Sequence, residues 1–356
     1  MYPYVIIFVL SGIASILVRK RATSRLFAVI LVVFLAVFAG TRYEVGCDYF
    51  AYAVRFANLE QSTSWTQAFS QGEGGFHALA LVVQDLGGSF SAFLLVCAAL
   101  YMACLWRFSL HSDRPLTFIT LSFPILVIQL GMSGLRQALA TGFLMMALSA
   151  FVRLRRIEFA AWILLAMQFH TSAIAFLPLI YLIGRSVSIP RIVAALAILG
   201  PVAGWFLGDR MDVYADRYVQ QIYGENISIG AWPRYLMVLF PFALFEWKRR
   251  WVKAAYPALF PLFRAFSLIT FSMVIVGLFS SVALHRLVFY VMPASLLAFI
   301  CFARALRNSR NGVLYLLLPF VVYGTYFAVW AFYSGHARSC YDPYESWLLM
   351  QPWQVH

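Results

Sequence analysis

The chain has 356 residues, 63% of them apolar and only 12% charged, with 27 basic against 14 acidic side chains and a net charge of +13. Repeated uninterrupted apolar runs of about twenty residues exclude a water-soluble enzyme and predict an all-α, polytopic transmembrane helix bundle. In a soluble protein this basicity would suggest nucleic acid, but basic residues collected in cytoplasmic loops explain it here, so no nucleic-acid partner is expected.

The first apolar run, Tyr2 to Val18, is followed by RKRATSR with no small-residue cleavage site before it, and reads as a retained helix rather than a removable signal. Arg19, Lys20, Arg21 and Arg25 put the first loop in the cytoplasm. A second helix, Leu26 to about Thr41, then exits, so RYEVGCDYFAY (residues 42–52) opens an outer loop over 42–75. That motif sets Arg42, Glu44 and Asp48 beside a membrane, where charge is costly and a functional site is the default reading. Gly74 to Gly88 holds about a dozen apolar residues, too few to span, and reads as re-entrant or interfacial. A helix from about Ser89 to Arg107 follows, then helices over Pro115–Leu130 and Ser133–Val152 around an outer turn, GMSGLRQ.

Ile157 to Ile183 is bounded by arginines on both sides, with His170 and Thr171 near its middle. Two half-length helices forming a hairpin from the cytoplasmic face fit these charges better than one tilted span. His170 then sits at a turn near the outer leaflet, where irregular backbone must be buried in protein or line a cavity. A helix over Ile189–Leu207 leads to an outer loop, 208–232, long enough for a surface helix. Pro233–Trp247, Leu262–Val282, Leu287–Ala303 and Val313–Trp330 complete the spans, with His285 and Arg286 at an outer turn and an outer tail over 333–356. The expectation is about twelve membrane segments, some short or re-entrant, in one domain over 1–356, with both termini and an active cavity on the periplasmic side.

Of the 27 basic residues, 18 fall in the assigned cytoplasmic loops, and 11 of the 14 acids fall outside. Arg42, Arg136, Arg286 and Arg338 break the pattern: each is outward, isolated and near a helix end. One such arginine usually snorkels to headgroups. Four on one face, with Asp48, Glu73 and His170, point instead to a cavity lined by charge. Of the five cysteines, none forms a CxxC pair and none has metal-ligand spacing with histidine, so neither metal nor cofactor is expected. Cys97, Cys104 and Cys301 lie in apolar helices and read as small hydrophobes. Cys47 and Cys340 lie in outer segments, where a disulfide is open to them if the geometry permits.

Guanidinium forks suit phosphate oxygens, whereas lysine, absent from the outer face, offers only a point charge. A ligand with a diphosphate at the interface and a lipid tail in the bilayer would satisfy them, and a nearby carboxylate or imidazole could take a proton from an acceptor hydroxyl. The chain resembles the EpsG family of Wzy-type polysaccharide polymerases in RYEVGCDYFAY (42–52), EGGF (73–76), GLRQALA (134–140), FHTSA (169–173), HRLVFY (285–290) and YDPY (341–344), in that order from end to end. Cys47 stands where a threonine is usual and Gly74 where a proline is usual.

The resemblance implies a glycosyltransferase of the bacterial inner membrane that moves a growing glycan from undecaprenyl diphosphate onto a lipid-linked repeat unit. Arg136 and Arg286 would hold the donor diphosphate, with Arg42 a third candidate. Asp48, Glu73 and His170 compete as general base; a carboxylate is preferred, because an imidazole near arginines tends to stay neutral and could equally orient the sugar. Tyr49, Tyr52, Gln137, Tyr341 and Tyr344 would contact glycan. Expected partners are the undecaprenyl-diphosphate-linked oligosaccharide, membrane lipids and a chain-length regulator. A ligase using the same donor is the nearest rival; a transporter of lipid-linked oligosaccharide would need charges leading to both faces.

Overall fold

The computed structural model describes residues 1–60, 65–70, 73–208 and 230–349. Among these the regular elements are helices, and an isolated bridge between Arg42 and Ser346 is the β-type pairing they contain. Continuous apolar runs leave no other choice in lipid, because a helix alone satisfies its own backbone within one segment. Six helices are long and apolar enough to cross a membrane: α2 (Arg21–Gly40), α6 (Phe90–Ser109), α8 (Leu135–Val152), α13 (Phe260–Phe279), α14 (Ser281–Ala305) and α15 (Gly312–Tyr333). Four shorter apolar segments accompany them, Tyr2–Leu17 (α1), Pro115–Gly131, Thr171–Leu182 and Ile189–Leu199. The protein is therefore an all-helical membrane protein; six of the roughly twelve expected segments have the length and composition of a span. The loop expected over 208–232 falls, from 209 to 229, outside the described residues, as does the tail beyond 349.

The chain forms two compact units: Met1–Gly142 with Gln168–His170 and Phe320–His356, and Phe143–Met167 with Thr171–Pro319. In the first, α2 packs along α6 and against α7 (Pro115–Ser122), which also meets α1. Ser15 and Thr117 join their hydroxyls at 2.7 Å across the α1–α7 contact, which removes two polar groups from an apolar interface. Beyond α7 the helix widens to a π-helical stretch, Phe123–Gly131, with Pro124 near its start; proline has no N–H to give a regular turn. The segment expected to be an outer loop, 42–75, is largely helical, with α3 at Tyr49–Glu60 and α4 at Trp65–Ser70. The helix α5, Gly74–Asp85, is about 18 Å long at 1.5 Å per residue, as short as its sequence implied.

α9 (Arg156–Phe169) belongs to the second unit up to Met167 and stops at the residue before His170; the 3₁₀ helix Thr171–Leu182 follows in the second unit. Arg156 donates from Nη2 to the Ile183 carbonyl at 2.9 Å, tying the start of one half to the end of the other. The segment is thus a hairpin, not one tilted span. α10 (Ile189–Gly208) packs on the 3₁₀ helix, and α11 (Ala231–Trp247) runs along α14, which also packs on α13. A short α12 (Arg249–Ala255) links α11 to α13, and α16 (Gly335–Tyr341) closes the described helices in the first unit.

The break between α13 and α14 corrects the expected turn at His285 and Arg286. It falls at Ser280, whose hydroxyl accepts from Ala283 N at 3.2 Å, so both basic residues lie in the first turns of α14. Arg264, a lone charge in α13, donates to Glu246 at 2.5 Å, and the Ser267 hydroxyl donates to the same oxygen at 2.6 Å. Glu246→Ala would leave this guanidinium without its counter-ion among apolar helices. The expected result is a loss of about 2 kcal/mol, seen as a lower melting temperature of the purified protein.

Candidate functional site

The site begins in the first unit, where RYEVGCDYFAY folds against the turn at Met132–Gly134 and the tail. Gly46 has φ +108°, and a Cβ there would stand 2.1 Å from the Met132 carbonyl oxygen, so only glycine permits this approach. The approach lets Cys47 N donate to Ser133 Oγ at 3.0 Å, and Ser133 in turn shares a 2.5 Å hydrogen bond with the Tyr341 hydroxyl. Backbone bonds from Tyr43 N to Glu345 O, Gly46 N to Cys340 O and Trp347 N to Thr41 O add a seam at 2.7–3.0 Å, and a Cys47–Cys340 disulfide locks it.

Three other elements bring the reactive groups to this seam. α3 carries Asp48 just before it and Tyr52 in its first turn; α8 carries Arg136 at its second position; Glu73 precedes α5 with φ +59°. Gly75 then lies against the end of α9, where a Cβ would come within 2.8 Å of Gln168 Cβ. That contact brings Glu73 to His170. As the residue before a helix, Glu73 has the place of an N-cap, but it makes no capping bond. Its side chain is 3% exposed, and both oxygens are engaged: Oε1 with His170 Nδ1 at 2.7 Å, Oε2 with Arg136 Nη1.

Arg136 also hydrogen-bonds Tyr52 and exerts its charge on Asp48. Its Nε is buried with no partner. Asp48 reaches solvent, yet the surrounding chain withdraws enough water to lift its carboxyl above the usual carboxylate range, with Arg136 and Arg55 opposing the rise. Burial likewise raises the Tyr52 phenol, against the pull of Arg136, so it stays a neutral donor. His170 is held by Nδ1, which turns Nε2 away from Glu73. With the proton on Nδ1 facing the carboxylate, Nε2 carries the lone pair, the arrangement in which an acid orients an imidazole to accept a proton.

The structure thus brings together Asp48, Glu73, His170, Arg136 and Tyr52, and sets other expected residues elsewhere. Arg42 is 1% exposed; its guanidinium donates to the Ala39 and Val45 carbonyls, the latter at 3.0 Å, and so caps the end of α2 rather than facing a ligand. Tyr341 is enclosed by its bond to Ser133, and Tyr344 stacks on Phe38 at 4.2 Å while its hydroxyl donates to the Phe38 carbonyl. Tyr49 is buried, edge-on to Phe90. A sugar needs an open ring face; Tyr49 and Tyr341 are buried, and the half-buried Tyr344 has one face taken by Phe38, so these three fasten the motif to its neighbours. Gln137 is half-buried beside Arg136 in sequence.

Arg286 belongs to the second unit, half-buried in the second turn of α14. Its neighbour His285 meets Arg234 Nη1 at 2.6 Å through Nδ1, and the Arg234 guanidinium lies 5.6 Å from the centre of the Phe289 ring. Sequence reasoning missed Arg234, whose one signal is a basic residue in the first turn of α11, beside Pro233. Among the described residues, Cys47, His336 and Cys340 bring three metal-type ligand atoms within 4.8 Å of one another, but the two sulfurs are joined to each other.

An all-helical membrane protein with a buried carboxylate clamped between an imidazole and a guanidinium has the equipment of a membrane-embedded transferase or hydrolase. Residues 25–346 match the EpsG family, and the chain belongs to it. This is a Wzy-like polymerase family, which gives the chain a polysaccharide polymerase-like character. No curated protein and no solved structure matches the chain.

Proposed function

We propose that this protein is a glycosyltransferase of the bacterial inner membrane that extends a polysaccharide by moving the growing glycan from undecaprenyl diphosphate onto the sugar of a lipid-linked repeat unit. The observation that carries the proposal is the Glu73 carboxylate, whose two oxygens hold His170 and Arg136 at once. On this reading the acceptor hydroxyl attacks the anomeric carbon of the growing glycan, and its proton passes to His170 Nε2. The bond from that carbon to the diphosphate oxygen breaks, and the electron pair leaves with undecaprenyl diphosphate. Glu73 stabilises the imidazolium that forms, so it is a positioning residue and His170 the base. Arg136, whose side chain is 31% exposed, stabilises negative charge as it develops. Asp48 remains able to accept a sugar hydroxyl.

The Cys47–Cys340 disulfide supports a periplasmic orientation for this seam, because such bonds persist in oxidising compartments. The test is the glycan ladder of a deletion strain complemented with the gene or with variants. Loss of long chains with a single repeat still attached is expected. Loss of all attachment would instead identify a ligase, and an unchanged ladder would sink both readings.

A further inference from the structure

The Cys47–Cys340 disulfide lies beside the site and is open to attack. Cys47 is exposed and Cys340 half-buried, whereas Cys97 and Cys301 are buried in helices. Asp48 follows Cys47 directly, and Tyr52, one turn further on, reaches Arg136. On the other side of the bond, Cys340 O accepts from Gly46 N at 2.7 Å, and its neighbour Tyr341 is bonded to Ser133, three residues before Arg136. The bond thus sits where the stretch carrying Asp48 and Tyr52 meets the tail and the turn that leads to Arg136. The tail's own hold at this point is slight, because in the seven residues of α16 only Ala337 and Tyr341 are buried. Residues 344–347 are fastened separately, to the end of α2 and to Tyr43, so opening the bond would loosen the Cys47 end of the motif without releasing the whole tail. The sulfurs also have an acid at hand. A ring nitrogen of the exposed His336, one turn before Cys340 on α16, lies within 4.8 Å of both. An imidazolium so placed stabilises a departing thiolate, which favours thiol–disulfide exchange at an accessible cysteine; a buried structural cysteine is inert.

We propose that this disulfide switches the site on: the chain polymerises with the Cys47–Cys340 bond closed and is held inactive with it open, an inference that rests on the polymerase reading above. The partner it implies is a disulfide-carrying oxidoreductase of the outer compartment. In closing, the exposed Cys47 thiolate attacks the carrier's disulfide and expels one carrier thiolate; the Cys340 thiolate then attacks the Cys47 sulfur and expels the other. The chain gives up two electrons and two protons, and the carrier leaves as a dithiol. The experiment follows polymer formation from lipid-linked repeat units by the purified full-length protein across a series of reduced and oxidised dithiothreitol buffers. Maleimide labelling of Cys47 and Cys340 in parallel samples, read by peptide mass, gives the fraction of bonds open. Activity should fall about a hundredfold in the open form, the loss that a misplacement of about 1 Å brings. It should follow the open fraction and return on reoxidation, which irreversible unfolding would prevent. Cys47→Ser combined with Cys340→Ser should stay at the low rate in every buffer. His336→Gln should keep the oxidised rate but open several-fold more slowly; opening at the wild-type rate would remove the histidine from the exchange. Full activity in the open form, or in the double serine variant, would overturn the switch. Hydrogen exchange over residues 42–60 reads the same tie without catalysis and should rise on reduction. If the oxidised wild type made no polymer, the polymerase reading would fall; exchange unchanged by reduction would overturn the positioning role by itself.

Discussion

His170→Ala is expected to cut polymer formation by a factor of about a hundred to ten thousand while the protein still inserts and accumulates, the range for loss of a positioned general base. The structural argument is specific to one nitrogen. Nδ1 is committed to Glu73 at 2.7 Å, so in the proposed mechanism the lone pair that takes the proton is on Nε2. Added imidazole should restore part of the activity of His170→Ala, because a small base can occupy the vacated space; a purely packing role for the ring would not be rescued in this way. Glu73→Gln keeps the size of the side chain and one acceptor oxygen but removes the charge that stabilises imidazolium, so its activity should fall mainly in kcat, with KM for the acceptor little changed. Wild-type chain length from His170→Ala, at normal protein levels, would remove the imidazole from the mechanism and return the role of base to Asp48.

Arg136→Ala should abolish polymerisation and also destabilise the protein, by about 3 kcal/mol, the low end for breaking a buried pair because this guanidinium keeps some access to water. The cause is Glu73, 3% exposed, which would be left as a buried carboxylate without its guanidinium counter-ion. Adding Glu73→Gln to Arg136→Ala therefore should recover a large part of the lost thermal stability while activity stays lost. Such non-additivity is the signature of residues in one network. A double variant no more stable than Arg136→Ala would show that the pair is not coupled.

Two of the candidate bases change standing for a reason the sequence does not contain. As three titratable side chains scattered over 48, 73 and 170, they are equivalent; the preference for a carboxylate rests only on the tendency of imidazole to stay neutral near arginine. Folding separates them. The strained backbone at Glu73 and the absent Cβ at Gly75 turn one carboxylate inward to orient the imidazole, while Asp48 keeps contact with solvent. Arg42 illustrates the opposite case. As an isolated arginine beside a membrane it looks like a phosphate ligand, yet it is 1% exposed, and the carbonyls of Ala39 and Val45 take donors from its Nη1 and Nε. The tyrosines of the tail are similar, since a phenol at the interface reads alike whether it meets sugar or protein.

Hydropathy along the chain is enough to establish a helical membrane protein, six short motifs in order carry the resemblance to its family, and the arginines on either side of 157–183 are enough to predict a hairpin with His170 at its break. These properties are local: a span needs a certain number of apolar residues, and a loop keeps its charge wherever the rest of the chain goes. Only the tertiary structure could decide the pairings. Glu73 meets Arg136 across 63 positions and His170 across 97, and Cys47 meets Cys340 across 293. Whether a charge is a ligand-facing group, a helix cap or half of a clamp depends on which carbonyl or carboxylate lies within hydrogen-bonding distance, and packing alone sets that distance.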